Sequence, residues 1–172
     1  MPEGGCALIV RRAREDDCER IARVKRAVWE TTYRGVYPDE KLDGFDIPAQ
    51  AERFRALLAD RNAQLYVAVE RGEIVGYMSC GGRAREPFSG MQEIGLLYVL
   101  REHQGLGVGK ALFETARDAM REAGHTEFIV ACNKYNAAAQ GFYLAMGGAV
   151  VSTDADAEDR SVPQVYFRFT AG

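Results

Sequence analysis

The sequence predicts a mixed α/β fold in one domain covering residues 1–172, a single layer of sheet with helices on both faces. Three observations predict it. Seven short runs rich in Val, Ile, Phe and Tyr are bounded by glycine, proline or charged residues, the mark of strands. Four longer stretches place their apolar residues three and four apart, the mark of helices. The two kinds alternate in the order β α α β β β α β α β β, and 172 residues can bury one proper core.

Residues 7–12 read as a short strand, Leu-Ile-Val between small and basic residues. Glu15, Asp16 and Asp17 then put carboxylates where a helix N-terminus stabilises them. Cys18, Ile21, Val24 and Val28 follow at helical spacing, to about Thr32. Residues 33–38 break this helix with glycine, proline and two tyrosines. Asp46 and Pro48, ahead of Ala51, Phe54, Leu57 and Leu58, start a second helix. Residues 65–70 and 74–81 are strands joined by Arg71, Gly72 and Glu73 as a hairpin. Residues 82–90, with two glycines and a proline, read as a loop. A strand over 94–99, a glycine turn over 104–109 and a helix from Val108 come next. That helix carries Leu112, Ala116, Ala119, Met120 and Ala123 at helical spacing, and Gly124 stops it. Residues 127–132 are a buried-looking strand and 133–146 a helix ended by Gly147 and Gly148. Two last strands, 149–153 and 165–170, flank an acidic stretch with Asp154, Asp156, Glu158 and Asp159, which reads as a solvated hairpin.

Composition narrows the function. A chain 47% hydrophobic and 27% charged has an ordinary globular balance. Its net charge of −3 argues against a broad nucleic-acid surface and favours cationic partners. No apolar run approaches membrane-spanning length, and residues 1–5 hold neither a basic nor an apolar signal region, so the cytoplasm is expected. Cys6, Cys18, Cys80 and Cys132 form no C-x-x-C pair and no cluster with His103 or His125, so they read as structural thiols and no metal is expected.

The chemistry centres on the strand, glycine turn and helix between Glu93 and Ala123. The first turn of a helix has unpaired N–H groups and the positive end of the macrodipole, and glycines let the backbone approach a ligand, so a phosphate or pyrophosphate is the natural guest. The spacing here is G-x-G-x-G, with Lys110 followed by Ala111. It fits neither the dinucleotide fingerprint nor the P-loop. Gln104, Gly107 and Gly109 instead resemble [Gln/Arg]-x-x-Gly-x-[Gly/Ala], the pyrophosphate loop of the GNAT superfamily of acetyl-coenzyme A-dependent N-acetyltransferases. A second motif, N-x-x-A-x-x-F-Y-x-x-x-G at Asn136, Ala139, Phe142, Tyr143 and Gly147, is similar to the family's segment beside coenzyme A. The resemblance covers nearly the whole chain, and Trp29 to Leu42 also looks like the acceptor-side loop of bacterial members. Two positions depart from it. Arg101 stands where many members have proline, and Gly148 where they have phenylalanine, which removes a packing side chain.

The resemblance implies a central, mostly antiparallel, twisted sheet of about six to seven strands with a splayed parallel pair. It implies acetyl-CoA as co-substrate, with pantetheine pairing to Leu97, Tyr98 and Val99 and a backbone N–H near Val99 polarising the thioester carbonyl. Gln104, Gly105, Leu106, Gly107, Val108, Gly109 and Lys110 would hold the pyrophosphate, and Asn136, Ala139, Phe142 and Tyr143 would line the cofactor. Asn136 would hold a pantetheine amide or a water, and Trp29, Tyr33 and Tyr37 would line the acceptor cleft. The acceptor is an amine, on a small molecule or a protein, and a homodimer is compatible with the family.

Acyl transfer needs a neutral amine, yet an alkylammonium with a pKa of about 10.4 is almost wholly protonated at neutral pH. A base is therefore required, direct or through a water. Glu93, in the central strand with an environment expected to raise its pKa, is the candidate, and Glu30 the rival. Tyr143 is the candidate acid for the departing thiolate, as the matching tyrosine is in many members. His103 reads as a solvated loop histidine, and Cys132 as a poor acyl carrier without a neighbouring base. A non-catalytic acyl-CoA sensor is the alternative reading of the same residues.

Overall fold

The computed structural model describes residues 7–84, 87–153 and 163–172. The elements are β1 (Ile9–Arg12), α1 (Cys18–Thr32), α2 (Asp39–Asp43), α3 (Ile47–Ala59), β2 (Gln64–Glu70), β3 (Glu73–Arg83), β4 (Gln92–Val99), α4 (Val108–Glu122), β5 (Glu127–Asn133), α5 (Ala137–Ala145), β6 (Ala149–Thr153) and β7 (Gln164–Thr170). The strands form a seven-stranded sheet in the order β1-β2-β3-β4-β5-β7-β6. It is mostly antiparallel, with β4 and β5 as its parallel pair. The chain divides into two compact units, Met1–Ser79 with Leu96–Ala116, and Cys80–Gly95 with Arg117–Gly172.

In the first unit the apolar stripe of α1 and the inner face of α3 close on the sheet. Ile21, Val24, Val28, Phe54, Leu65, Val67, Ile74 and Tyr77 form this core. The Tyr77 ring meets Phe54 and Tyr98 edge-on, with centroids 5.3 and 5.5 Å away. Neighbouring strand residues face opposite ways. Gly76 accordingly faces α4: a Cβ there would lie 2.9 Å from the Tyr98 carbonyl oxygen and 3.2 Å from Leu112 Cδ1. One face of these strands thus carries α1 and α3, the other the start of α4. The hairpin between β2 and β3 turns on Arg71 (φ 51°) and Gly72 (φ 80°), and positive φ at both central residues marks the turn whose twist matches paired strands. Asp17 is buried before α1, where it receives two hydrogen bonds from Arg11 (2.7 and 3.0 Å) and one from the Arg14 N–H (2.8 Å). Asp46 caps α3 by accepting from Ala49 N–H at 2.9 Å.

In the second unit, seven antiparallel pairs from Glu127↔Thr170 to Asn133↔Gln164 join β5 to β7. Phe128 and Phe169 stack across them at 5.2 Å. The parallel contact of β4 with β5 covers Gln92↔Phe128, Glu93↔Ile129 and Ile94↔Val130.

Several boundaries differ from expectation. Residues 82 and 83 belong to β3 rather than to a loop. The break after α1 contains a short helix, α2, which buries Leu42. The helix expected over 133–146 begins only at Ala137, because Asn133 still pairs in β5 and the Asn136 side chain caps α5 by accepting from Ala139 N–H at 3.0 Å. Gly148 leaves no packing gap: a Cβ there would lie 2.5 Å from Phe169 Cζ, so that ring fills the space. Cys18, Cys80 and Cys132 are buried thiols outside any disulfide, while Cys6 and the acidic stretch lie outside the described residues.

Candidate active site

The glycine turn follows a single 3-10 turn, Arg101–His103, at the end of β4. Gly105 (φ 73°) and Gly107 (φ 87°) take the left-handed conformation, which a side chain resists, and open space surrounds both. Gly107 accepts from Ala111 N–H at 3.0 Å, so the helix starts there and the N–H groups of Val108, Gly109 and Lys110 are first-turn donors. Val108 is buried, which anchors α4, whereas Leu106 is 71% exposed at the turn's tip. The Gln104 side chain donates to the Val99 carbonyl at 3.0 Å and so ties the turn to the strand before it. His103 is not simply solvated: its Nδ1 lies 3.0 Å from Glu70 Oε2.

At the end of β4, Leu100 N–H donates to Val75 O at 2.9 Å. Successive strand N–H groups point to opposite edges, so the Val99 N–H faces away from β3. Leu97 and Val99 are half-buried, as is Tyr98, whose hydroxyl accepts from Trp29 Nε1 at 3.4 Å. Burial holds the Tyr98 phenol well above the usual tyrosine range.

Trp29, Tyr33 and Tyr37, expected on the acceptor side, come together as one aromatic group. Tyr37 lies 5.5 Å from Trp29 and 5.1 Å from Tyr33, and Phe45, which sequence reasoning missed, lies 5.5 Å from Trp29. Two ammonium groups sit on its rings: Lys41 Nζ is 4.1 Å from the Tyr37 centroid, and Lys25 Nζ is 5.2 Å from that of Trp29. Arg34 holds Glu30 (2.5 Å), Asp39 (3.1 Å) and Asp43 (3.0 Å), pinning α2 to α1. The signal for the Lys25 contact was its spacing of four to Trp29 on α1, and for the Glu30 contact its spacing of four to Arg34, just past the end of that helix.

In the second unit Glu93 is half-buried on β4 beside Ile129 of β5. Tyr143 is 5% exposed on α5, its ring against Phe142 (5.4 Å), Phe167 (5.6 Å) and Phe169 (6.3 Å). Asn136 and Ala139 lie at the start of the same helix, joined by the cap. Burial pushes the Cys132 thiol up to about 11, so it is protonated at neutral pH and a poor nucleophile. Among the described residues no three His, Cys, Asp or Glu side chains gather to hold a metal ion, and no helix is long and apolar enough to cross a membrane.

Residues 28–147 match the sequence pattern of the Acetyltransferase (GNAT) family. YuaI of Bacillus subtilis, an uncharacterised N-acetyltransferase, is 27% identical over 70% of this chain and 69% of its own length. N-acetyltransferase 8 of Rattus norvegicus is 30% identical over 56% of this chain, and the match spans only 44% of the rat protein. Among solved structures, PaiA N-acetyltransferase from Thermoplasma acidophilum in complex with coenzyme A superposes with a TM-score of 0.79 at 19% identity, over 95% of this chain and 99% of that one.

Proposed function

This chain belongs to the acetyltransferase (GNAT) family, and on that premise we propose that it acts as one transferase domain, passing the acetyl group of acetyl-CoA to a primary amine by direct attack in a ternary complex. The observation that carries the reading is the glycine turn. Gly105 and Gly107 are left-handed with open space about them, at the N-terminus of a helix of fifteen residues, and that start supplies the N–H donors a pyrophosphate needs. Gln104 secures this turn to Val99, and the N–H of Val99, turned away from β3, is the donor for the thioester oxygen. Leu97 and Tyr98 supply the neighbouring backbone groups for pantetheine. Asn136, Ala139 and Phe142 border the cofactor on α5, although the Asn136 oxygen is already engaged in the cap.

Acetyl-CoA supplies an activated thioester. Glu93 takes the proton of the attacking ammonium, directly or through a water, and Tyr143 returns one to the leaving sulfur. The rival, Glu30, has one carboxylate oxygen taken up by two hydrogen bonds from Arg34. Trp29, Tyr33 and Tyr37 line the acceptor side.

Calorimetric titration with acetyl-CoA, followed by free-thiol release across a panel of small-molecule and peptide amines, tests this. Saturable binding with thiol release on one amine class is the expected result. Binding without release from any amine would instead identify a non-catalytic acyl-CoA sensor, and no binding would remove the phosphate turn from the account.

A further inference from the structure

Lys25 is a half-buried cation of the first unit to which the transfer chemistry gives no role. It lies on α1, with its Nζ 5.2 Å from the centroid of Trp29 and 5.8 Å from that of Phe54 on α3. Its hydrogen bond goes to a neutral acceptor, Gln50 Oε1, at 2.9 Å. Among the described residues no carboxylate forms an ion pair with it; Glu30 of α1 and Asp39 and Asp43 of α2 are held by Arg34. The charged groups that act on it from the facing elements are both cations, Arg53 of α3 and Lys41 of α2.

We propose that Lys25 is an acylation site of this protein, its amine taking an acetyl group from an acyl thioester such as acetyl-CoA. The Nζ lone pair attacks the thioester carbonyl, a C–N bond forms as the C–S bond breaks, and the proton lost by nitrogen neutralises the departing thiolate. The environment favours this twice. Half-burial and the two cations lower the Lys25 pKa to about 8. About a fifth of it is then neutral at pH 7.4, against about one in a thousand for an ordinary lysine. The product also suits the site better than the reactant. An amide carries no charge to desolvate, can keep an N–H for Gln50 and retains apolar contact with the two rings. This inference depends neither on the identity of the acceptor amine nor on the roles of Glu93 and Tyr143.

The chain has four lysines, Lys25, Lys41, Lys110 and Lys134, which makes the test direct. The full-length protein is incubated with acetyl-CoA between pH 7 and pH 10, and acetylation at each lysine is followed by peptide mass spectrometry. At pH 7.4 Lys25 is expected to react at least about tenfold faster than exposed Lys110, an advantage that shrinks as rising pH deprotonates ordinary lysines as well. Equal or slower reaction at Lys25, or no reaction at any lysine, overturns the proposal. A second measurement on the unmodified protein, competitive labelling with a small acetylating reagent across the same pH range, should give a reactivity midpoint near 8 for Lys25. A midpoint near 10.5 would overturn the proposal equally.

Discussion

Two buried or half-buried charges in the first unit respond to pH in opposite ways. The Asp17 carboxyl is held below the usual range, chiefly by hydrogen bonds from Arg11. An acid whose folded pKa is lowered contributes stability that is fully present above its unfolded value, about 3.9, and lost as pH falls through the lower folded value. Asp17→Asn should therefore cost about 1–3 kcal/mol at pH 7, with the difference closing at low pH in urea titrations. Lys25 works the other way. Its folded pKa of about 8 lies below the ordinary 10.5, so the unfolded chain binds more protons between those values and stability rises with pH across that window. Lys25→Met should raise the melting temperature at pH 7, and the gain should fade by about pH 10.5.

At the level of elements, the glycine turn and the last helix carry the sharpest expectations. Gly107 has open space about it, so its requirement is conformational rather than steric. Gly107→Val should cost only about 1–2 kcal/mol of stability, yet weaken coenzyme A binding at least about tenfold by calorimetry, because the first-turn donors are re-aimed. Gly148 is the opposite case, an ordinary backbone conformation with no room. Gly148→Ala drives a methyl into the Phe169 ring, which is stacked on Phe128 and cannot easily yield, so a loss of about 1–3 kcal/mol is expected in chemical denaturation. The departure from the family pattern at Gly148 is thus compensated within β7. An unchanged denaturation midpoint would show that the ring moves aside.

For the whole molecule, the proposed transfer predicts a division of labour that kinetics can separate. Glu93→Gln should lower kcat by about 10²–10⁴ and remove the carboxylate-controlled acidic limb from the pH–rate profile. Tyr143→Phe should lower kcat with little change in coenzyme A affinity, since its ring contacts with Phe142, Phe167 and Phe169 do not need the hydroxyl. Unchanged turnover in either variant would remove that residue from its role. The mixed α/β class, the order of the main elements and both motifs were legible in the sequence, because strand alternation, helical spacing and glycine turns are local properties of neighbouring residues. The glycine at position 124 stops α4 as its sequence signal says, with φ 84°. What tertiary structure alone decided is which groups were already engaged. Arg34, in the connection between α1 and α2, holds Asp39 and Asp43 as well as Glu30. Asn136 caps a helix that starts later than its apolar spacing suggests. Gly148 is filled from β7, and Lys25 lies between the rings of two helices without a carboxylate partner among the described residues. The Phe169 ring at Gly148 and the Phe54 ring at Lys25 come from residues distant in sequence, and one-dimensional spacing carries no information about such encounters. The Arg34 and Asn136 contacts are short in sequence, but spacing alone does not say which of several possible partners is taken. The chain's own residues therefore specified the family and its glycine turn, while packing decided how particular carboxylates, amides and amines are engaged.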